Sequence, residues 1–196
     1  MKLFNKWEIE GIKVQDAGLQ AYINLEPIII PRTAGRSVRS QFGKTKVSIV
    51  ERLMNKIMTP GHRGKKHKIT SGHCGGKAAR AYRIVEKAFT IVEQQTKKNP
   101  IEVLVKAIEN AAPREEINTL EYGGAVYPQP VEMAPQRRVD FALRLMTQGA
   151  YQKSFNAKKK IQETLAEEII RAYNCDNKSV AIAKKLEIER QTDASR

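Results

Sequence analysis

Six stretches of the chain read as helices, most of them with apolar residues at helical spacing, and that rhythm leaves few folds open. Ile49, Val50, Leu53, Met54 and Ile57 fall at i, i+1, i+4, i+5 and i+8, the pattern of one buried helix face. Pro60 and Gly61 stop that helix. A second helix is predicted over 77–96, with Ala81, Ile84, Val85, Ala88 and Val92 on one face. Asn99 then offers a capping side chain and Pro100 suits the first helical position, so a third helix starts there, with Ile101, Leu104, Val105 and Ile108 inside. Pro113 ends it. A fourth helix begins near Pro135 and buries Val139, Ala142, Leu143 and Met146, with Gly149 weakening its end. A fifth runs from about Asn156 to Tyr173 on Ile161, Leu165, Ile169 and Ala172. A sixth runs from about Ser179 to Thr192. It carries only Val180, Ile182, Leu186 and Ile188 as sizeable apolar residues, so it is expected at the surface.

Between the third and fourth helices the period changes. Residues 117–122, Gly123-Gly124 and the run 125–133 read as two strands around a tight turn. Pro128 and Pro130 exclude a central strand and suit an exposed ribbon. The expected fold is therefore mainly α: a six-helix, bundle-like body with a protruding β-hairpin over 115–133. Residues 1–45, interrupted by Pro27, Pro31, Gly35 and Gly43, are expected as an irregular basic N-terminal arm holding one short helix near Asp16 to Leu25. At 196 residues and 41% hydrophobic content, this is one domain with a core, not a disordered chain.

Charge narrows the function. The formal net charge is +14, which points to a polyanionic partner. Residues 31–80 hold 13 Lys and Arg against one acid, Glu51, whereas the rest of the chain is nearly balanced. An ordinary solvated surface mixes signs; a stretch this one-sided repels itself unless a partner neutralises it. Arg32, Arg36, Arg39, Lys44 and Lys46 recur every few positions, as suits a segment tracking a phosphate backbone. Arg63, Lys65, Lys66 and Lys68 form a glycine-rich basic finger, which is expected to order on RNA with release of counterions.

Gln136-Arg137-Arg138 and Lys158-Lys159-Lys160 place cations at helix starts, where the macrodipole prefers anions. A phosphate there would bind both the cations and the unpaired N–H groups. Lys77 is expected at a helix start facing phosphate in the same way. Phe42 is the only aromatic near the cations of the arm and the basic finger in sequence, so shape and phosphate contacts are expected to dominate over base stacking.

Other function classes fail on their residues. His62, His67, His73 and Cys74 could supply zinc ligands, but no C-x-x-C or H-x-x-x-H spacing supports this and the surrounding cations oppose a metal. The run from Ser71 to Ala78 lacks the first glycine and the closing Ser/Thr of a phosphate-binding loop. Acids are nearly absent from the basic stretch, so a nuclease-type metal site has no ligands there. No cofactor, metal or small-molecule substrate is expected. No run reaches the length of a membrane span, no secretory signal is visible at the N-terminus, and two cysteines 101 positions apart suit a reducing compartment.

Longer motifs add a resemblance. Glu51 to Met58, Gly76-Lys77-Ala78-Ala79, Asn99 to Leu104, Ala107 to Asn110, Tyr122 to Tyr127, Val131-Glu132 and Pro135 to Arg138 occur in order, followed by Leu165 to Ile170 and Ala181 to Arg190. Across essentially its whole length the chain resembles the universal small-subunit ribosomal protein family numbered seven, in its archaeal form. The resemblance implies a cytoplasmic, non-enzymatic ribosomal protein that binds ribosomal RNA of the small-subunit head and nucleates head assembly. It implies neighbouring head and platform ribosomal proteins as partners. It also implies a hairpin, here Tyr122, Gly123, Gly124, Ala125 and Tyr127, lying near the exit-site tRNA and the mRNA path. Lys184 and Lys185 of the last helix join the RNA-facing set on the same grounds. The chain departs from the family pattern in a longer, more basic loop from Thr59 to Gly75 and in a hairpin carrying Glu115, Glu116, Glu121 and Glu132.

Overall fold

The order of elements follows the sequence rhythm. A computed structural model describes residues 2–60 and 74–196, except for the Val38 side chain; His62, Arg63, Lys65, Lys66, His67, Lys68 and His73 lie outside the described residues. The elements run β1 (Lys2–Leu3), β2 (Trp7–Glu8), α1 (Ala17–Gln20), α2 (Ile49–Ile57), α3 (Ala78–Thr96), α4 (Pro100–Ala111), β3 (Glu115–Tyr122), β4 (Ala125–Glu132), α5 (Pro135–Ser154), α6 (Ile161–Tyr173) and α7 (Val180–Ala194). Single 3₁₀ turns at Arg36–Arg39 and Gly43–Lys46 precede α2. The Asn99 carboxamide oxygen accepts the Ile101 N–H at 3.0 Å, and Pro100 opens α4 behind it.

α6 packs against α3, α4 and α5, and its stripe of Leu165, Ala166 and Ile169 shares one core with Phe89, Leu104, Ile108, Leu143 and Met146, all fully buried. α5 runs five residues beyond Gly149. A Cβ at that glycine would stand 2.9 Å from the Val180 Cβ, so Gly149 lets the start of α7 lie close against α5. α6 begins later than its periodicity suggests, because Asn156 takes a left-handed φ of 53° and breaks the run. The Glu163 carboxylate accepts the Lys160 N–H at 3.2 Å, which closes the new helix start.

The mainly helical class with a protruding ribbon is what the structure shows, but the N-terminus differs from an irregular arm. Leu3, Phe4, Trp7, Ile9, Leu19 and Ile23 are buried in the core. Phe4 meets Tyr82 edge-on at 4.6 Å and Trp7 meets Phe89 at 5.7 Å, while the Trp7 indole donates to Glu93 at 3.0 Å. Each such side chain contributes about 1.5–3 kcal/mol of burial, so residues 2–23 form part of the body. Two-residue strands carry no readable period, which is why the sequence pattern hides them.

The ribbon is formed as expected. β3 and β4 pair antiparallel from Glu115↔Glu132 to Tyr122↔Ala125. Gly123 and Gly124 both take positive φ, 58° and 83°, as a type I′ turn demands. α7 packs against its base, and the tip stands out in solvent with Tyr122 83% exposed.

Candidate nucleic-acid interface

The single acid of the basic stretch points inward. Glu51 lies on α2, 5% exposed, and accepts hydrogen bonds from the Thr33 N–H and hydroxyl, both at 2.8 Å. It pins the basic segment to the helix from inside. Arg52 is likewise internal, donating to the Tyr22 carbonyl at 2.8 Å and to Asp140 Oδ1 at 3.2 Å. Among the other described cations of the stretch, Arg32, Arg36, Arg39, Lys44, Lys46, Lys77 and Arg80 are exposed and Lys56 is half-buried. Among the described residues no carboxylate pairs with Arg32, Arg36, Arg39 or Lys46. Lys44 pairs with Asp140 Oδ2 at 2.6 Å. Burial pushes the Asp140 carboxyl up, but the Lys44 hydrogen bond and the Arg52 and Lys44 charges outweigh it and hold the group below its ordinary value.

Asp140 also marks the place where distant cations converge. A cleft of about 450 Å³ is lined by Phe42, Lys56, Arg137, Asp140, Phe141 and Arg144. The Arg144 guanidinium lies 5.1 Å from the Phe141 ring centroid. Lys56 is half-buried; burial pushes its pKa down, and nearby Lys44, Arg144 and Arg52 push the same way against Asp140.

Arg137 and Arg138 separate sharply. Arg137 is exposed and forms a forked contact with Glu116 at 3.0 and 2.8 Å. Arg138 is 9% exposed; its Nε donates to the Pro113 carbonyl at 2.9 Å and its terminal nitrogen to Asp16 at 2.8 Å. Reading Arg138 as a surface cation for phosphate is therefore corrected: successive helical residues point about 100° apart, and only the first of this pair faces solvent. Lys158, Lys159 and Lys160 are exposed just before α6, with Lys159 paired to Glu167. Lys184 pairs with Glu187 at 2.6 Å. Lys185 is half-buried and donates to the Asn110 carbonyl at 2.9 Å, so it ties α7 to α4 and is not a freely presented cation.

Sequence reasoning passed over Arg83 and Lys87, which continue the exposed line of Lys77 and Arg80 at i+3 and i+4 along α3. Their spacing was readable. Lys56, Phe141 and Arg144 were passed over for a different reason: the fold alone brings them to Phe42. Among the described residues no group of three or more His, Cys, Asp or Glu is placed to hold a metal. None of the described helices is long and apolar enough to cross a membrane.

Residues 20–196 match the family described as ribosomal protein S7p/S5e. The chain belongs to that family. Small ribosomal subunit protein uS7 of Nanoarchaeum equitans is 54% identical over 196 residues, covering 100% of this chain and 99% of that protein. The uS7 proteins of Methanothermobacter thermautotrophicus and Methanothrix thermoacetophila are 49% and 47% identical, over 96% and 100% of this chain and 95% and 100% of their own lengths. The S7p/S5e family is structural and non-enzymatic, and its archaeal form is the one the sequence motifs resemble.

Proposed function

We propose that this chain is a structural protein of the small ribosomal subunit in the cytoplasm that binds the ribosomal RNA of the head and nucleates head assembly. The observation that carries the reading is the outward face of residues 31–60 and 74–80. Arg32, Arg36, Arg39, Lys44, Lys46, Lys77 and Arg80 are exposed there, while its one acid, Glu51, is turned into the core. Such a face attracts phosphate by counterion release. Lys77, Arg80, Arg83 and Lys87 extend it along α3, Arg137 and Lys158–Lys160 add cations at two helix starts, and Lys184 adds one on α7. Names shared with full-length relatives of about 50% identity support the subunit. The ribbon belongs to the same reading as the segment near exit-site tRNA and mRNA. Its Gly-Gly tip allows close backbone approach, and Tyr122 and Tyr127 are presented to solvent. Neighbouring head and platform proteins complete the partners.

The test is direct competition. At one salt concentration the purified protein binds head-domain RNA of the small subunit far better than a DNA duplex of equal length. Equal affinity for the two would reduce the reading to general polyanion binding.

A further inference from the structure

The cleft between the basic segment and α5 has a composition that phosphate contact alone does not explain. Phe42 is 62% exposed and takes a left-handed φ of 56°, uncommon for a bulky residue. Its turn is locked: the Gly43 N–H donates to the Ser40 carbonyl at 3.0 Å, and a Cβ at Gly43 would stand 1.9 Å from the Ser37 carbonyl oxygen. The fold thus holds an aromatic ring at the surface beside a glycine that no larger residue could replace without moving the Ser37 backbone. Phe141 lines the same cleft from α5, and the Arg144 guanidinium lies over its ring. Around these rings stand Lys56, Arg137 and Arg144. Asp140, the acid in the cleft, is engaged by Lys44 on one oxygen and Arg52 on the other. Among the described residues no carboxylate pairs with Lys56 or Arg144. The site therefore combines apolar ring faces with positive charge that Asp140, already engaged by Lys44 and Arg52, offsets only in part.

We propose that the cleft takes one unpaired nucleotide of the bound RNA, its base against Phe42 and Phe141 and its phosphate held by Lys56 and Arg144. This rests on the RNA-binding reading above. It adds a base-stacking subsite to an interface otherwise built on phosphate contacts. A base has a flat π face and a phosphate has a full negative charge, so one nucleotide satisfies both halves of the site. A volume of about 450 Å³ has room for a single nucleotide.

The full chain and head-domain small-subunit RNA test it. Phe42→Leu keeps the apolar bulk and removes the ring, so affinity falls on the order of tenfold with the salt dependence unchanged. Lys56→Gln lowers the slope of log affinity against log salt by about one. Phe42→Trp introduces an indole whose emission is lost on adding the RNA, against a constant signal from the buried Trp7. Far-UV circular dichroism confirms that each variant is folded. Wild-type binding to head RNA with equal affinity in Phe42→Leu, or with unchanged indole emission in Phe42→Trp, overturns the nucleotide site and leaves the RNA-binding reading standing. Wild-type protein that does not prefer head RNA over duplex DNA overturns both.

Discussion

Arg137→Ala and Arg138→Ala are adjacent truncations with opposite expected consequences. Arg138→Ala removes the donor to the Pro113 carbonyl and the partner of Asp16. Breaking a buried pair costs about 3–5 kcal/mol when the remaining charge is stranded. The Asp16 side chain retains 27% exposure, so water relieves part of that cost. About 2–3 kcal/mol is the expected loss, equivalent to roughly 4–12 °C in Tm for a chain this size. Arg137, by contrast, forms a surface pair with Glu116, worth about 0–1 kcal/mol; its truncation leaves Tm nearly unmoved and weakens RNA binding. Acidity supplies an internal control. Burial pushes the Asp16 carboxyl up, but the hydrogen bond and charge of Arg138 and the Gly18 N–H together hold it below its ordinary 3.8. A depressed carboxyl stabilises the fold above its unfolded pKa, and that contribution is lost as pH falls through the folded value. The part of the Tm gap between wild type and Arg138→Ala that comes from Asp16 is therefore lost below about pH 4, and the gap narrows to what the Pro113 contact and packing contribute. Thermal unfolding followed by circular dichroism at pH 7 and pH 3 measures both. A Tm loss no larger than that of Arg137→Ala would refute the assignment of Arg138 to the fold, and a gap that is the same at both pH values would refute the part assigned to Asp16.

Two further substitutions probe the joint of α5, α6 and α7. Glu168, fully buried, accepts from Lys153 at 2.6 Å, the Ser179 hydroxyl at 2.7 Å and the Val180 N–H at 2.6 Å; Glu168→Gln sets an amide donor against these donors and should cost about 3 kcal/mol, and urea unfolding with a loss under about 1 kcal/mol would show that the carboxylate is dispensable. Gly149→Ala gains about 1 kcal/mol of helix propensity but forces a Cβ against Val180, so a net loss on the order of 1 kcal/mol is expected; a rise in Tm would show that α7 can move away freely.

The sequence was most legible where a local rule acts alone. Asn99-Pro100 caps α4 because the capping contact spans two residues, and Gly123-Gly124 turns the ribbon because only the turn itself needs positive φ. The stripe of α3 set its limits to within a residue. Legibility failed where partners are distant. Phe42 and Phe141 are 99 positions apart, and no pattern in either neighbourhood announces the cleft. Arg137 and Arg138 are chemically alike, and what separates them is that Asp16 and Pro113 lie on one side of the helix only. In α2 every residue from Ile49 to Met54 is buried, Glu51 and Arg52 included, because the N-terminal segment covers the face that an amphipathic reading leaves to water.

That burial bears on why the surface charge is so unbalanced. Three of the acids that lie at cation-rich joints are engaged within the fold: Asp140 with Lys44 and Arg52, Asp16 with Arg138, and Glu168 with Lys153. Asp140 and Asp16 link elements far apart in sequence and Glu168 joins α5, α6 and α7; Arg32, Arg36, Arg39 and Lys46 are offset by none of them. A protein selected only for its own stability would gain by moving such acids next to Arg32, Arg36, Arg39 and Lys46, since mixed-sign surfaces avoid self-repulsion. This chain instead fixes Glu51, the one acid within its basic stretch, inside the core against Thr33. The arrangement is favourable once a polyanion supplies the missing negative charge, because its phosphates then meet cations already held in place and free of competing carboxylates.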